Sequence, residues 1–127
     1  MSPQSRGEEA GLIRVLIAIY PRMYGESLAY VLKRNRPQAE VVRVEASELD
    51  GQLESFDPQL VVCNGPTDEV VKALAPSWVE LSYEARGITA SVCLGGRRTT
   101  IEDVEVEDVL AMVDEAERLS QSSRPDG

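Results

Sequence analysis

The stretch Ile13-Arg14-Val15-Leu16-Ile17-Ala18-Ile19 decides the fold class of this chain. It is almost entirely apolar and rich in β-branched residues, which is typical of a strand buried on both faces of a parallel sheet. Pro21 ends this strand. After it, apolar residues recur at helical spacing and predict a helix, which Pro37 ends: Tyr24, Leu28, Val31 and Leu32. A buried strand followed by an amphipathic helix is the repeating unit of α/β proteins.

The same unit recurs twice more along the chain. Glu40 to Val44 is a short second strand, and Leu60 to Cys63 is a third strand that is again apolar on both faces. Between them, Ser47 is the expected N-cap of a helix with one apolar face: Leu49, Leu53 and Phe56. Thr67 is the expected cap of a further helix, which Pro76 ends. This alternation predicts a parallel sheet with helices on both faces.

The last third of the chain follows a different pattern. Apolar and polar residues alternate from Trp78 to Glu84 and again from Ile88 to Leu94, so each strand has one covered and one open face. The residues between these strands leave no room for a helix. Gly95-Gly96 then predicts a hairpin turn into a polar strand over Arg97 to Glu102. An amphipathic helix is predicted from Val106 to Leu119.

Length and composition predict one domain. The chain has 127 residues, of which 43% are hydrophobic, and its apolar segments define a domain over 12–119 with disordered tails over 1–11 and 120–127. A formal net charge of −9 disfavours nucleic-acid binding, which uses basic surfaces to neutralise phosphates. The chain has no His, and Cys63 and Cys93 lie in apolar runs, so buried reduced thiols and no metal site are expected.

The sequence also predicts where the protein works and what it lacks. The apolar run from Leu12 to Tyr20 is too short to span a bilayer, and the polar residues 2–11 are not typical of a signal peptide. Neither a Rossmann-type glycine motif nor a P-loop motif occurs. We therefore expect a cytoplasmic protein that contacts no membrane and carries no cofactor.

Two stretches resemble the receiver domains of bacterial response regulators. Val15-Leu16-Ile17-Ala18-Ile19-Tyr20-Pro21 is similar to the family's opening strand, and Asp57-Pro58-Gln59-Leu60-Val61-Val62-Cys63-Asn64-Gly65-Pro66 is similar to the segment around its phosphoacceptor. The likeness covers residues 13–82, and the last helix corresponds to the family's last. It implies a three-layer, receiver-like (flavodoxin-like) sheet of order 2-1-3-4-5. Here a β-meander with an antiparallel edge strand replaces the fourth helix.

The chain departs from the receiver pattern where phosphorylation takes place. That chemistry needs an aspartate nucleophile, carboxylates that hold Mg²⁺, a hydroxyl and a lysine. Ile19 and Tyr20 stand where the family has its acidic pair. Asn64 stands at the nucleophile position, Ser82 matches the hydroxyl, and neither lysine of the chain lies near the lysine position. The resemblance therefore implies a degenerate pseudo-receiver that is not an enzyme and has no catalytic residue.

Two functions of different classes stay open, and a third option is a non-catalytic subunit of a larger complex. The first is a non-phosphorylatable, receiver-like domain that acts through protein–protein contacts in bacterial signalling or regulation. The second is a small-ligand-binding, flavodoxin-like domain without catalytic activity, since ligands of such folds bind at the carboxyl ends of the strands. Arg22 and Thr67, which lie in the turns at those ends, are its candidate ligand or anion contacts.

The meander is the predicted interaction surface. Without a helix over its polar face, a sheet with an edge strand invites a second chain. Trp78 falls on that polar side, and Arg97 and Arg98 lie on the edge strand. We expect a homodimer formed through residues 78–102, because two-fold dimers are the commonest assembly.

Overall fold

A computed structural model describes residues 13–64 and 69–122. The described residues form an α/β structure around a six-stranded mixed sheet, which confirms the predicted class. The strands are β1 (Arg14–Ala18), β2 (Glu40–Arg43), β3 (Leu60–Asn64), β4 (Ser77–Glu84), β5 (Gly87–Leu94) and β6 (Arg97–Ile101). The helices are α1 (Arg22–Asn35), α2 (Leu49–Phe56), α3 (Glu69–Leu74) and α4 (Val106–Ser122), and a short 3-10 turn (Ala46–Glu48) precedes α2.

The sheet has the order β2-β1-β3-β4-β5-β6 and changes character at β4. The first four strands are parallel, with Val15 beside Leu60 and Val62 beside Val79. β4, β5 and β6 then run antiparallel to one another as a meander, because only short turns connect them. The carboxyl ends of β1, β3 and β4 therefore lie side by side at one edge of the sheet.

The two faces of the sheet carry helices of different length. α1 and α4, of 14 and 17 residues, cover one face, which we call the long-helix face. Their apolar residues pack with one side of β1 to β5 in a continuous core, against which the half-buried Ile101 of β6 also packs. The buried residues of this core are Ile13, Val15, Ile17, Ile19, Ala29, Leu32, Val41, Leu60, Val62, Val79, Leu81, Ala90, Val92, Val109, Met112, Val113 and Ala116. This core contains the inward-facing half of the alternation in β4 and β5.

α2 and α3, of 8 and 6 residues, cover part of the opposite face, which we call the short-helix face. Its core is smaller: Leu16, Ala18, Val44, Leu49, Leu53, Val61, Cys63, Val71, Ala75, Trp78 and Cys93. Beyond it, polar residues of the meander stay exposed or half-buried, and we call them the open polar face: Glu80, Ser82, Thr89, Ser91 and Thr100.

The burial of Trp78 contradicts one prediction. Its side chain is on the same side as Glu80 and Ser82, as the alternation requires, but only 4% of it is exposed. Val71 and Ala75 pack with it in the same core, and Ala75 directly follows α3. The expectation that Trp78 lies on an uncovered face is wrong, because period-two alternation assigns a side chain to a face but does not show how far a helix extends over that face.

Two helix ends also differ from their predictions. Ser47 is not the N-cap of α2, because it lies within the 3-10 turn and Glu48 holds the N-cap position without a side-chain hydrogen bond. Glu45 caps the 3-10 turn itself in a capping box with Glu48, whose carboxylate accepts from the Glu45 N–H at 2.9 Å. The last helix continues to Ser122, so residues 120–122 are helical and do not form a tail. Thr67 and residues 1–12 and 123–127 lie outside the described residues. None of the described helices is long and apolar enough to cross a bilayer.

Candidate functional site at the carboxyl ends of the strands

Asn64, the last residue of β3, is bound at both ends of its side-chain amide to the backbone of Tyr20. The Tyr20 N–H donates to Asn64 Oδ1 at 3.1 Å, and Asn64 Nδ2 donates to the Tyr20 carbonyl oxygen. Ala18 and Cys63 are the last register pair of β1 and β3. The side-chain amide of Asn64 therefore continues the hydrogen bonding between the two chain segments beyond the end of the strand pairing. It fixes the loop from β1 to α1 against the end of β3.

The four residues predicted as the degenerate phosphoacceptor region lie at neighbouring strand ends. Ile19 is buried in the core of the long-helix face, whereas the Tyr20 side chain is exposed. Asn64 pairs in register with Leu81, so Ser82 lies one residue beyond it on β4, exposed on the open polar face. The structure brings Ile19 and Tyr20 together with Asn64, and it provides no carboxylate among these positions.

Arg22, a predicted anion contact, lies between two carboxylates. Its Nε donates to Glu26 Oε2 at 2.8 Å, and its NH1 lies 3.8 Å from Glu45 Oε2. The hydrogen bond from Arg22 holds the pKa of Glu26 below its ordinary value. An anionic ligand would have to compete with both carboxylates for this guanidinium. Thr67, the second predicted contact, lies outside the described residues.

An apolar groove lies beside this cluster on the long-helix face. It encloses about 150 Å³ between the first turns of α1 and α4, above the ends of β1 and β4. We call it the aromatic groove, and its walls are Ile19, Tyr24, Leu28, Leu81, Tyr83, Ile88, Val104, Glu105, Val106 and Val109. Glu105 is the only charged residue among these ten.

Two tyrosines form the mouth of the aromatic groove. The rings of Tyr24 and Tyr83 meet edge to face, with centroids 5.6 Å apart and planes at 83°. They are 51% and 40% exposed, and Val106 beside them is 42% exposed. Burial raises the pKa of Tyr83, and Tyr24 raises it further, so the phenol stays neutral at physiological pH. The groove therefore presents uncharged aromatic surface to solvent.

Acidic residues lie on the α4 side of the aromatic groove. Glu105 lines it, and Glu107 and Asp108 follow in the first turn of α4, where carboxylates also suit the positive end of the helix dipole. Glu84, Glu102 and Asp103 instead line a separate pocket together with Arg86 and with Thr89 of the open polar face. The carboxylates give this end of the sheet a negative potential.

Of the residues predicted as the interaction surface, Trp78 and Arg98 lie on the opposite side of the meander from the aromatic groove, whereas Arg97 lies on the long-helix side near Glu115 and Arg118. Arg98 covers the buried Trp78 ring, with its guanidinium carbon 5.5 Å from the ring centroid, and Lys72 Nζ lies at the same distance. Arg97 and Arg98 are exposed on β6, the outer strand of the sheet. The expected homodimer through this edge stays a prediction.

No family model, curated protein or solved structure matches this chain. The receiver resemblance therefore stays a prediction that rests on the residues themselves. Within 13–64 and 69–122, no three or more Cys, Asp or Glu side chains are grouped as a metal site would require.

The aromatic groove was missed from the sequence, although its parts were recognised. Tyr24 belonged to the apolar stripe of the first helix, and Tyr83 belonged to the apolar side of β4. The sequence pattern therefore predicted that both tyrosines are core residues. The acidic run around Val104 and Val106 could have indicated the groove. Apolar residues interspersed with carboxylates are expected at the border of the core, where apolar side chains are partly exposed to solvent.

Proposed function

We propose that this protein is a non-phosphorylatable, receiver-like domain that acts through protein–protein contacts in bacterial regulation. The observation that carries the proposal is the pairing of Asn64 with Tyr20. It occupies the strand end where a receiver holds its nucleophile, and it uses both the donor and the acceptor of the amide for structure. An amide that makes both of these hydrogen bonds is a poor nucleophile, so we assign this strand end a structural role.

The exposed aromatic surface beside this pairing supports a role in contacts. Tyrosines are enriched in the cores of protein interfaces because they bury much apolar area and lose little conformational entropy. Tyr24 and Tyr83 supply such area at the carboxyl end of the sheet, which is the usual functional end of this fold class. The small-ligand alternative is less well supported by the aromatic groove, since its 150 Å³ is below the roughly 300–1,000 Å³ of small-molecule sites.

The phosphorylation half of the proposal is tested with acetyl phosphate and Mg²⁺. We expect intact-mass spectrometry to show an unmodified protein, and Asn64→Asp to stay unmodified as well, because Ile19 and Tyr20 supply no carboxylate for the metal. A stoichiometric phosphoprotein from the unaltered chain would overturn the proposal.

The contact half is tested by photo-crosslinking in the source organism. The photoreactive residue p-benzoylphenylalanine replaces one exposed residue in each of four regions: Tyr83 in the aromatic groove, Tyr30 on the outer side of α1, Thr100 on the open polar face and Glu54 on α2. We expect one region to give a discrete crosslinked species, and a self-crosslink at Thr100 would support the homodimer. Absence of a discrete species in all four regions would contradict a role in protein contacts.

A further inference from the structure

We propose that the aromatic groove receives one apolar side chain from a partner protein, and that basic residues flank this side chain in the partner. The inference rests on the proposed function, because it assigns the surface and the partner chemistry of the same contact. Three properties of the groove carry it: its size, its exposed apolar walls and the charge around it.

The size of the groove fits a single side chain. A cavity of about 150 Å³ lined by aliphatic and aromatic residues is large enough for a benzene ring. A leucine, methionine or phenylalanine side chain is of this order. Interfaces commonly place such an anchor in a pocket near their centre, and this anchor supplies much of the binding energy.

The walls of the groove are unusual for an exposed surface. Tyr24, Tyr83 and Val106 are all more than one-third exposed, yet they are continuous with the buried core through Ile19, Leu81 and Val109. Contiguous apolar surface rimmed by polar residues is typical of interaction sites. Transfer of these side chains out of water would therefore favour association.

The charge around the groove selects the partner. Glu105 lines the groove, and Glu107 and Asp108 follow it in the first turn of α4. The nearby Arg22 is engaged by two carboxylates, and Arg86 lies in a separate pocket with Glu84, Glu102 and Asp103, so neither is among the residues that line the groove. Lysine or arginine on either side of the anchor would complement this rim, raise the association rate and make binding weaken with salt.

Three fluorescein-labelled synthetic helical peptides test the inference by fluorescence anisotropy with the full chain. The first combines lysines with leucines at helical spacing, the second replaces its lysines by glutamates, and the third replaces its leucines by serines. We expect the leucine–lysine peptide to bind and each of the other two to bind at least about tenfold more weakly. Equal binding of the serine–lysine peptide would overturn the inference, because charge alone would then suffice.

Matched variants locate the contact. We expect Tyr83→Ser to weaken binding about tenfold and Tyr30→Ser, an exposed tyrosine outside the groove, to leave it unchanged. Glu105→Gln should weaken binding a fewfold, whereas Glu54→Gln on α2 should not. If Tyr83→Ser fails to fold, amide chemical shifts of the unaltered protein replace it, and the perturbed residues must lie around Tyr24, Tyr83 and Val106.

The outcomes separate this inference from the proposed function. Crosslinks at Tyr30 or Thr100 with none at Tyr83 would leave the contact function standing and overturn the groove as its site. A crosslink at Tyr83 to a segment without an apolar residue flanked by lysine or arginine would overturn the partner chemistry. Equal losses for Tyr30→Ser and Tyr83→Ser in peptide binding would also contradict the inference.

Discussion

The two faces of the sheet differ in how completely they are covered. On the long-helix face, α1 and α4 extend one core from β2 to β5, whereas α2 and α3 on the short-helix face reach only as far as the Trp78 end of the meander. The residues agree with this difference, since β1 and β3 are apolar on both sides while β4 and β5 alternate. One sheet therefore combines central parallel strands, β1 and β3, that are buried on both faces with an antiparallel part that is open on one side.

The difference between the faces shows which residues of the sheet stabilise the fold by burial. Residues under a helix contribute burial, and residues beyond the short helices contribute polar surface. Trp78 and Ser82 lie on the same face of β4, but Trp78 is covered by α3 and Ser82 is exposed beyond it. Substitutions along that strand can therefore measure where the cover ends.

The largest expected effect is that of Trp78→Ala compared with Ser82→Ala. Trp78 is 4% exposed, so its truncation leaves a large cavity and should lower the free energy of unfolding by about 3–5 kcal/mol. Ser82 is exposed, so Ser82→Ala should change that free energy by less than about 0.5 kcal/mol. Urea denaturation followed by circular dichroism measures both. A loss below about 1 kcal/mol for Trp78→Ala would show that α3 does not cover this ring.

Much of the fold was predictable because burial leaves a periodic signature. The β-branched run at Val15 to Ile17 indicated a strand buried on both faces, and the alternation from Trp78 to Glu84 indicated a half-covered one. The burial of Trp78 was not predictable. It depends on the reach of α3 and on the Lys72 and Arg98 side chains over the ring, which no local pattern encodes.

An intermediate effect is expected at Asn64, which attaches α1 of the long-helix face to the sheet. Asn64→Ala removes two hydrogen bonds to Tyr20 and should lower the free energy of unfolding by about 1 kcal/mol, since water can replace part of them. Asn64→Asp should be worse at neutral pH because a carboxylate would face the Tyr20 carbonyl oxygen. That contact raises the folded-state pKa of the introduced group, so the variant should lose stability as pH rises through this pKa. Urea midpoints between pH 4 and 8 measure both variants, and a pH-independent Asn64→Asp would contradict the pairing.

The candidate site was predictable only as a set of positions. The resemblance brought Ile19, Tyr20 and Asn64 to neighbouring strand ends, and they do lie there. The bidentate pairing was not foreseen, because a side-chain amide that binds backbone 44 residues away leaves no trace in local sequence. The aromatic groove was missed for a related reason, since apolar stripes predict that α1 and α4 face the sheet but not how closely their first turns meet over it.

The smallest effect is expected at the ion pair that joins the two helices of the long-helix face. Arg36, the residue after α1, donates from Nε to Asp114 Oδ1 at 2.7 Å and from NH2 to Asp114 Oδ2 at 2.8 Å. This hydrogen bonding holds the pKa of Asp114 below its ordinary value. A lowered folded-state pKa contributes stability that is present above the unfolded-state pKa of about 3.9 and is lost as pH falls through the folded-state pKa. Asp114→Asn should therefore lower Tm slightly near pH 7, and the difference should vanish in acid.

A local pair on the same helix provides the matched control. Glu115 pairs with Arg118 three residues along α4, and its pKa is lowered as well, by the hydrogen bond from Arg118 first and by the charge of Arg97 on β6 too, so its partners lie on α4 and β6 and not on α1. Hydrogen exchange separates the two cases, since the Arg36 N–H donates to the Leu32 carbonyl oxygen at the end of α1. Asp114→Asn should speed exchange of that amide because α1 loses its tie to α4, whereas Glu115→Gln should leave it unchanged. Equal exchange rates in the two variants would mean that the Arg36–Asp114 pair does not hold the end of α1 against α4.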